Sequence, residues 1–357
     1  MDAKIEKFGR ANSKPLVSII VLNYNTAGWL PKCFASIRSQ TIINQIETFF
    51  VDNLSTDDSV ATAKKLLADF PAAHVIENEV NLGFCEGNNV GARAANGRLL
   101  FFLNPDTWLE PDCMEKLLAE LEQANADAAT PWVLQYANDD HQDLGFGGFD
   151  LFGLPTSSPP ANNLREVFAA SGCAYLIRAE TFKKIGGFDR EFFMYSEDAD
   201  LSWRVWIAGG KFVGVPASRL HHRGAAGINS NGGATAIEYR TNDQKRFLSN
   251  RNSLLTLLKC GQNFLLLLVP LQMALVFAES LIGALLLRRT SFFCNVCWDA
   301  FQDCWRMRAH ILSERRRIAG FRQRGDFWML RFFRLRFNRW DEVKRTLKFG
   351  LPRVDAK

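Results

Sequence analysis

From residue 16 to residue 103, short apolar runs alternate with amphipathic stretches of helical period, and this alternation constrains the fold more than any other feature. The runs are "LVSIIVL", "IETFFVD", "HVIEN" and "RLLFFL"; helices are expected from Trp29 to Arg38, Asp57 to Asp69 and Glu86 to Ala95. Strands that alternate with helices in this way pair in parallel through right-handed crossovers, which makes the chain an α/β protein. Ligands then bind at the carboxyl ends of the strands. Three polar clusters stand at those ends: Asn23-Tyr24-Asn25, Asp52-Asn53 and Asn104-Pro105-Asp106.

The composition is that of a globular protein. With 357 residues, 47% apolar, the chain has material for one large core or two smaller ones. Its eight cysteines show no framework and no signal segment opens the chain, so reduced thiols in the cytoplasm are expected. Cys294-x-x-Cys297 has no second pair, and packing explains it better than zinc.

Each cluster admits a structural and a functional reading. Asp52 ends a buried strand, where its carboxylate can accept the imide N–H of uracil or thymine while Asn53 and Ser55 hold a ribose; a helix cap at Ser55, Thr56 or Asp57 explains the same residues. Gly83 and Gly87 open a helix that can face phosphate, but the stretch matches neither G-x-G-x-x-G nor the P-loop pattern. Asp106, stiffened by Pro105, suits a hard cation held against a diphosphate, or equally a plain strand-to-helix turn. Glu197, Asp198 and Asp200 begin a helix, where acids are favoured anyway, yet they also suit a general base beside an acceptor hydroxyl. His221 and His222 follow a short strand, and one of them can complete a metal site.

Residues 138–165, rich in Gly, Pro, Asn and Asp, read as a long surface loop, a lid or acceptor-binding segment. Beyond Tyr239 the character turns helical. Phe264 to Leu287 is long enough to span a bilayer, which takes about 20 residues, but an acid such as Glu279 near its centre costs about 2.5–3.5 kcal/mol. From Arg288 to Lys348 there are sixteen basic residues against six acids. A single crossing would carry that basic tail away from the cytoplasm, against the positive-inside tendency, so helices lying in the cytoplasmic leaflet, or a re-entrant hairpin, are expected. Phe321 to Trp340 interleaves Arg with aromatic residues as an interfacial helix would. Core packing or a homo-oligomer interface would use the same residues, whereas nothing else in the chain supports nucleic acid.

Taken in order, "VSIIVLNYN", "VDNLSTDDS", "NLGFCEGNNVGA", "FLNPDTWLEP", "IGGFDREFFMYSEDADLSWR" and "HHRG" resemble the inverting family 2 glycosyltransferases of the GT-A fold, specifically the rhamnosyltransferase-like branch. The resemblance covers Leu16 to Asn252. It implies a nucleotide-binding catalytic domain over residues 16–238, preceded by an extension (1–15) and followed by a helical, basic, membrane-associating region (239–357). It further implies Asp198 as catalytic base, and Asp106 with His221 as ligands of Mg or Mn. His222 is the alternative ligand, because Ala225-Ala226 replace the family's small polar residue and blur the register. Asp52 would read the base. Asn23, Asn25, Asn53, Asn81, Gly83, Asn88 and Asn104 would line the donor side, with Glu197, Trp203 and Arg204 completing the substrate site. Asn104 stands where many relatives carry the first Asp of Asp-x-Asp.

The expected activity is inverting transfer of a sugar, with dTDP-rhamnose the leading donor, to a cell-surface or polyprenyl-linked glycan at the cytoplasmic face of the membrane. The rival expectation is a non-catalytic, membrane-bound nucleotide-sugar scaffold, whose mark would be a missing base or metal acid; both are present.

Overall fold

The computed structural model describes residues 4–9, 14–224, 240–340, 343, 347 and 353–355. After an edge strand, β1 (Lys4–Gly9), come the parallel strands β2 (Val17–Asn23), β3 (Ile46–Asp52), β4 (Ala72–Glu77) and β5 (Leu99–Leu103). They are joined by α1 (Leu30–Arg38), α2 (Ser59–Leu67) and α3 (Gly83–Ala94) and lie in the order β4-β3-β2-β5. Both faces of this sheet are covered, so its strands are continuously apolar and their side chains divide between two cores by simple alternation. Leu99, Phe101 and Leu103 enter the core under α1 and α2, whereas Leu100 and Phe102 enter the opposite core.

The sheet continues through residues that cross over from later in the chain. These are β6 (Thr107–Leu109), β7 (Ala128–Gln135), β8 (His141–Asp143), β11 (Arg165–Glu166), β12 (Ala174–Arg178) and β13 (Phe212–His222), while β9 (Phe146–Phe149) and β10 (Pro155–Ser157) pair as a separate two-stranded sheet. Strand β12 runs antiparallel to β5, with Ala174 opposite Leu103, and β13 runs parallel to β7. The short β6 pairs with the far end of β13, placing Thr107 opposite His222 and Trp108 opposite His221. Helices α4 (Cys113–Gln123), α5 (Ala179–Lys184) and α6 (Glu197–Ile207) complete this part.

Residues 138–165 are not a structureless surface loop. They contain β8, β9 and β10, and Leu144 and Phe149 are fully buried. Asp150 explains how so polar a segment can be internal: its Oδ1 accepts from the amides of Phe152 and Leu154, and its Oδ2 accepts from the amide of Asn338.

The expected division of the chain also reads differently in space. Lys4–Gly9 pairs antiparallel with β4, so it extends the sheet. Helix α7 (Asp243–Cys260) packs on α6 and sends Leu254, Leu255 and Leu257 into the same core as Trp203 and Trp206. The boundary itself, at residues 238 and 239, lies outside the described residues, as do Ala225 and Ala226.

Helix α8 (Leu268–Leu287) has inverted polarity. Gln272, Val276, Ser280 and Ala284, spaced by four, form its buried stripe, while Leu271, Phe277, Leu281, Ile282, Leu285 and Leu286 are exposed. The basic segment from Phe321 is not one interfacial helix. Only short turns form, Phe332 packs 4.7 Å from Trp206, and the Arg324 guanidinium lies 3.9 Å over Trp328 while donating to the Gly209 and Gly210 carbonyls. Packing against the protein thus uses part of the Arg–aromatic alternation. Phe327, Leu335 and Trp340 remain exposed.

Candidate active site

The ends of β2 and β3 are tied to one another. Asp52 Oδ1 accepts from Asn23 Nδ2 at 2.9 Å and from Ser55 Oγ at 2.6 Å, and its Oδ2 accepts from the Ser55 amide at 2.8 Å. After that one bond Oδ2 keeps acceptor capacity. Asn25, at φ +54°, accepts from the Thr56 amide at 2.7 Å. The Asn53 side-chain amide donates to Gly83 O and accepts from Asn78, so it anchors the start of α3. Asn81 Oδ1 accepts from the Gly83 amide, fixing the turn into that helix, and buried Asn88 donates to Phe84 O inside it.

At the next strand end, Asp106 is buried and its Oδ1 stands 3.4 Å from His222 Nε2. Here the sequence-based preference for His221 is corrected by the pleat. Successive side chains of β13 point to opposite faces, so only one histidine can meet Asp106. His221 instead stacks on Trp108, with ring centroids 3.7 Å apart, and its Nδ1 lies 3.0 Å from Gln135 O. Burial opposes charge on His222, yet Cys173 and the Asp106 carboxylate beside it raise its pKa well above the ordinary value.

Two neighbours of this pair had no role assigned from sequence. Gln142 Nε2 lies 2.9 Å from His222 Nδ1, while Gln142 Oε1 is buried without a partner. Arg223 is 5% exposed; among the described residues its Nε and Nη2 have no partner, and its Nη1 donates only to Gly224 O. A buried guanidinium with two orphaned nitrogens is the donor set of an anion site.

The second acidic group opens α6. Asp198 Oδ2 accepts from the Gly172 amide at 3.0 Å and Oδ1 from the Ala199 amide at 2.7 Å. Burial, with Asp143 nearby, pushes its pKa up to about 6 against those bonds. Glu197 is pushed further, to about 8, by burial and by Asp198, and its Oε2 is unpartnered. Asp143 on β8, missed because it lay in the segment read as loop, is itself raised to about 6 by burial, with Ser171 and His222 offsetting part of the rise.

One turn, Ser171-Gly172-Cys173, connects the two groups. Its Gly172 amide donates to Asp198, its Cys173 carbonyl accepts from the Asn104 amide, and Ser171 and Cys173 bear on the protonation of Asp143 and His222 respectively. Asp106 and Asp198 therefore lie on either side of three residues. Among the described residues, no three His, Cys, Asp or Glu side chains form a closed metal cluster.

Trp203 and Arg204 are interior: Trp203 is 1% exposed and stacked on Phe149, and Arg204 is fully buried, bonded to Asp200 and to the carbonyls of Ile185 and Gly187. Asp200 is likewise bound to Arg204 and Lys259. The eight cysteines are free thiols, with Cys294 exposed and Cys297 buried.

Residues 18–186 match the pattern described as glycosyl transferase family 2. Over 104 residues the chain is 36% identical to the putative glycosyltransferase EpsH of Bacillus subtilis, covering 29% of this chain and 30% of that protein. It is 27% identical over 225 residues to the O-antigen biosynthesis protein RfbC of Myxococcus xanthus, covering 59% of this chain and 18% of RfbC. The chain thus spans about a third or less of these relatives. Among solved structures, GalNAc-T7 with UDP, GalNAc and Mn2+ superposes with a TM-score of 0.56 at 17% identity, covering 69% of this chain and 48% of that one. S. aureus TarS 1–349 with UDP-GlcNAc superposes with a TM-score of 0.55 at 14% identity, covering 85% and 88%. At such identities the likeness is one of fold, and the fold is the expected GT-A arrangement.

Proposed function

We propose that residues 18–186, which match glycosyl transferase family 2, belong to a GT-A catalytic domain, and that the chain is a divalent-cation-dependent, inverting glycosyltransferase. The observation that carries this reading is the convergence, about one three-residue turn, of an anion-seeking half (Asp106, His222, Arg223) and a proton-taking half (Glu197, Asp198).

Asp198 is the catalytic base. Burial raises both the Asp198 and Glu197 carboxyls above the usual carboxylate range, so the pair exchanges a proton closer to neutral pH than free carboxylates would. Asp198 takes the proton of an acceptor hydroxyl as the hydroxyl oxygen attacks the anomeric carbon from the face opposite the leaving nucleotide. One displacement inverts the configuration. Arg223 holds the diphosphate through the nitrogens now orphaned. Asp52 takes the imide N–H of the pyrimidine.

Asp106 and His222 would hold Mg2+ or Mn2+. The residues fit: turning over the Gln142 amide presents its orphaned oxygen to His222 Nδ1–H and leaves an Nε2 lone pair on the Asp106 side. Two protein ligands suit a cation that keeps water and phosphate oxygens in its shell. Such an ion supplies charge neutralisation for the departing diphosphate.

The leading donor is dTDP-rhamnose, and the acceptor is a cell-surface or polyprenyl-linked glycan. The exposed apolar face of α8, together with the basic excess after it, favours a peripheral or re-entrant seat on the cytoplasmic leaflet, over which the lipid-linked acceptor would be presented. A panel of dTDP-rhamnose, UDP-N-acetylglucosamine and GDP-mannose with Mn2+ tests this by thermal stabilisation and nucleoside diphosphate release. Stabilisation by one donor, with release abolished in Asp198→Asn, is expected. Donor binding with no release from the wild type would return the chain to the scaffold reading.

A further inference from the structure

The turn that delivers Asp198 is built from residues ill suited to its backbone. Phe193, Tyr195 and Ser196, none of them glycine, adopt left-handed φ values of 62°, 72° and 63° immediately before α6. Such conformations persist only where surrounding structure over-determines them. Here the restraint comes from α7.

Asn252, fully buried on α7, donates its Nδ2 to the carbonyls of Phe192 at 2.9 Å, Met194 at 2.8 Å and Tyr195 at 2.8 Å. Its Oδ1 accepts from Arg251 Nε, which keeps the amide from turning over. Arg251 Nη2 reaches the Glu191 and Phe192 carbonyls, while its Nη1 pairs with Asp303 at 2.9 Å. Every carbonyl from Glu191 to Tyr195 except that of Phe193 is thus held by two adjacent α7 side chains. The exception is instructive, because Phe193 O accepts from the Cys85 amide at the start of α3. The Phe193 ring lies where a side chain on Gly83, itself at φ +73°, would collide with it. The same turn therefore touches the donor-side helix at one residue and releases the base three residues after Tyr195.

We propose that Asn252, braced by Arg251, is a positioning residue for Asp198: it holds the left-handed turn from Phe193 to Ser196 that fixes where the first turn of α6 meets the donor side. This rests on the assignment of Asp198 as base, and it places a determinant of turnover beyond residues 18–186. Asn252 touches no substrate; it acts through the turn.

The test compares Asn252→Ala with the double variant Asn252→Ala/Ser196→Gly, since glycine adopts a left-handed φ without the steric cost and the Ser196 side chain makes no helix-capping bond. Turnover is read as nucleoside diphosphate release from whichever of dTDP-rhamnose, UDP-N-acetylglucosamine or GDP-mannose the wild type consumes fastest. Asn252→Ala should lower kcat about 10- to 100-fold, the scale of an ångström-level misplacement, with donor KM within about twofold. The double variant should recover about tenfold of that loss. Independently of activity, amide exchange across residues 193–198 should accelerate about tenfold in Asn252→Ala and return toward wild type in the double variant.

Equal loss of kcat and donor affinity, or no recovery with glycine, would reduce Asn252 to a packing residue and overturn the proposal. Unchanged exchange would do the same. Should Asn252→Ala not fold, Arg251→Lys decides: a fall in kcat of about threefold or more at constant KM is expected, and unaltered kcat overturns the inference. Full activity in Asp198→Asn would instead remove the base assignment, whatever Asn252 does.

Discussion

The two halves of the site are stabilised in opposite ways. On the donor side, Asn23, Asp52 and Ser55 satisfy one another, so the polar ends of β2 and β3 form a rigid, self-contained knot. On the acceptor side, Asp143, Glu197 and Asp198 are crowded and desolvated, and all three are pushed toward their neutral forms. Recognition needs groups held still, whereas proton transfer needs a group whose two protonation states are close in energy near the working pH. The contrast assigns recognition to the first half and proton transfer to the second.

Breaking the acceptor side should have the largest effect. Asp198→Asn preserves shape and removes the proton acceptor, so nucleoside diphosphate release in a steady-state assay should fall by about 10²–10⁴-fold.

A smaller, directional effect sharpens the electrostatic side of the comparison. Asp143 raises the Asp198 pKa, so Asp143→Asn should move the acid limb of the pH–rate profile to lower pH than in the wild type. The sign for stability follows from the same shift. A carboxyl raised to about 6 stabilises the fold when protonated and loses that contribution as pH rises through 6. Asp143→Asn should therefore melt higher than wild type at pH 7, with the gap closing toward pH 4. Equal melting curves at both values would show that Asp143 carries no such cost.

The smallest effect belongs to the donor-side knot. Ser55→Ala removes the hydroxyl that donates to Asp52 and accepts from Asn23 Nδ2 and the Asn25 amide, and should cost about 1–3 kcal/mol in chemical denaturation while leaving kcat nearly unchanged. A large loss of kcat would move that knot into the chemistry.

How much of this was legible from sequence follows from what each signal depends on. β3 is buried along its whole length from Ile46 to Asp52, and β5 from Leu99 to Leu103, because both faces of each are covered; the local runs "FFV" and "LLFFL" suffice to read them. The positions of Asp106 and Asp198 were marked by strand end and helix start. The choice between His221 and His222 depends on pleat parity against β6, a pairing across more than a hundred residues that no local pattern encodes. Asp143 sits on a strand of three residues inside a Gly- and Pro-rich stretch, too short to show a period. Trp203 and Arg204 entered the expected site through the resemblance of their motif; only the packing of α6 against α7 and Phe149 shows them to be interior. The Arg–aromatic tail mixed two uses, packing and exposure, which alternate too irregularly for sequence to separate.

Donor titration by calorimetry into matched Asp198→Asn and Asp106→Ala proteins, with and without Mn2+, bears most directly on the division between the two halves. The account predicts that Asp198→Asn binds the donor within about twofold of wild type, since a base is needed only as the bond breaks, while Asp106→Ala loses the Mn2+-dependent part of the affinity. Donor affinity lost in Asp198→Asn, or retained in full with Mn2+ in Asp106→Ala, would contradict it.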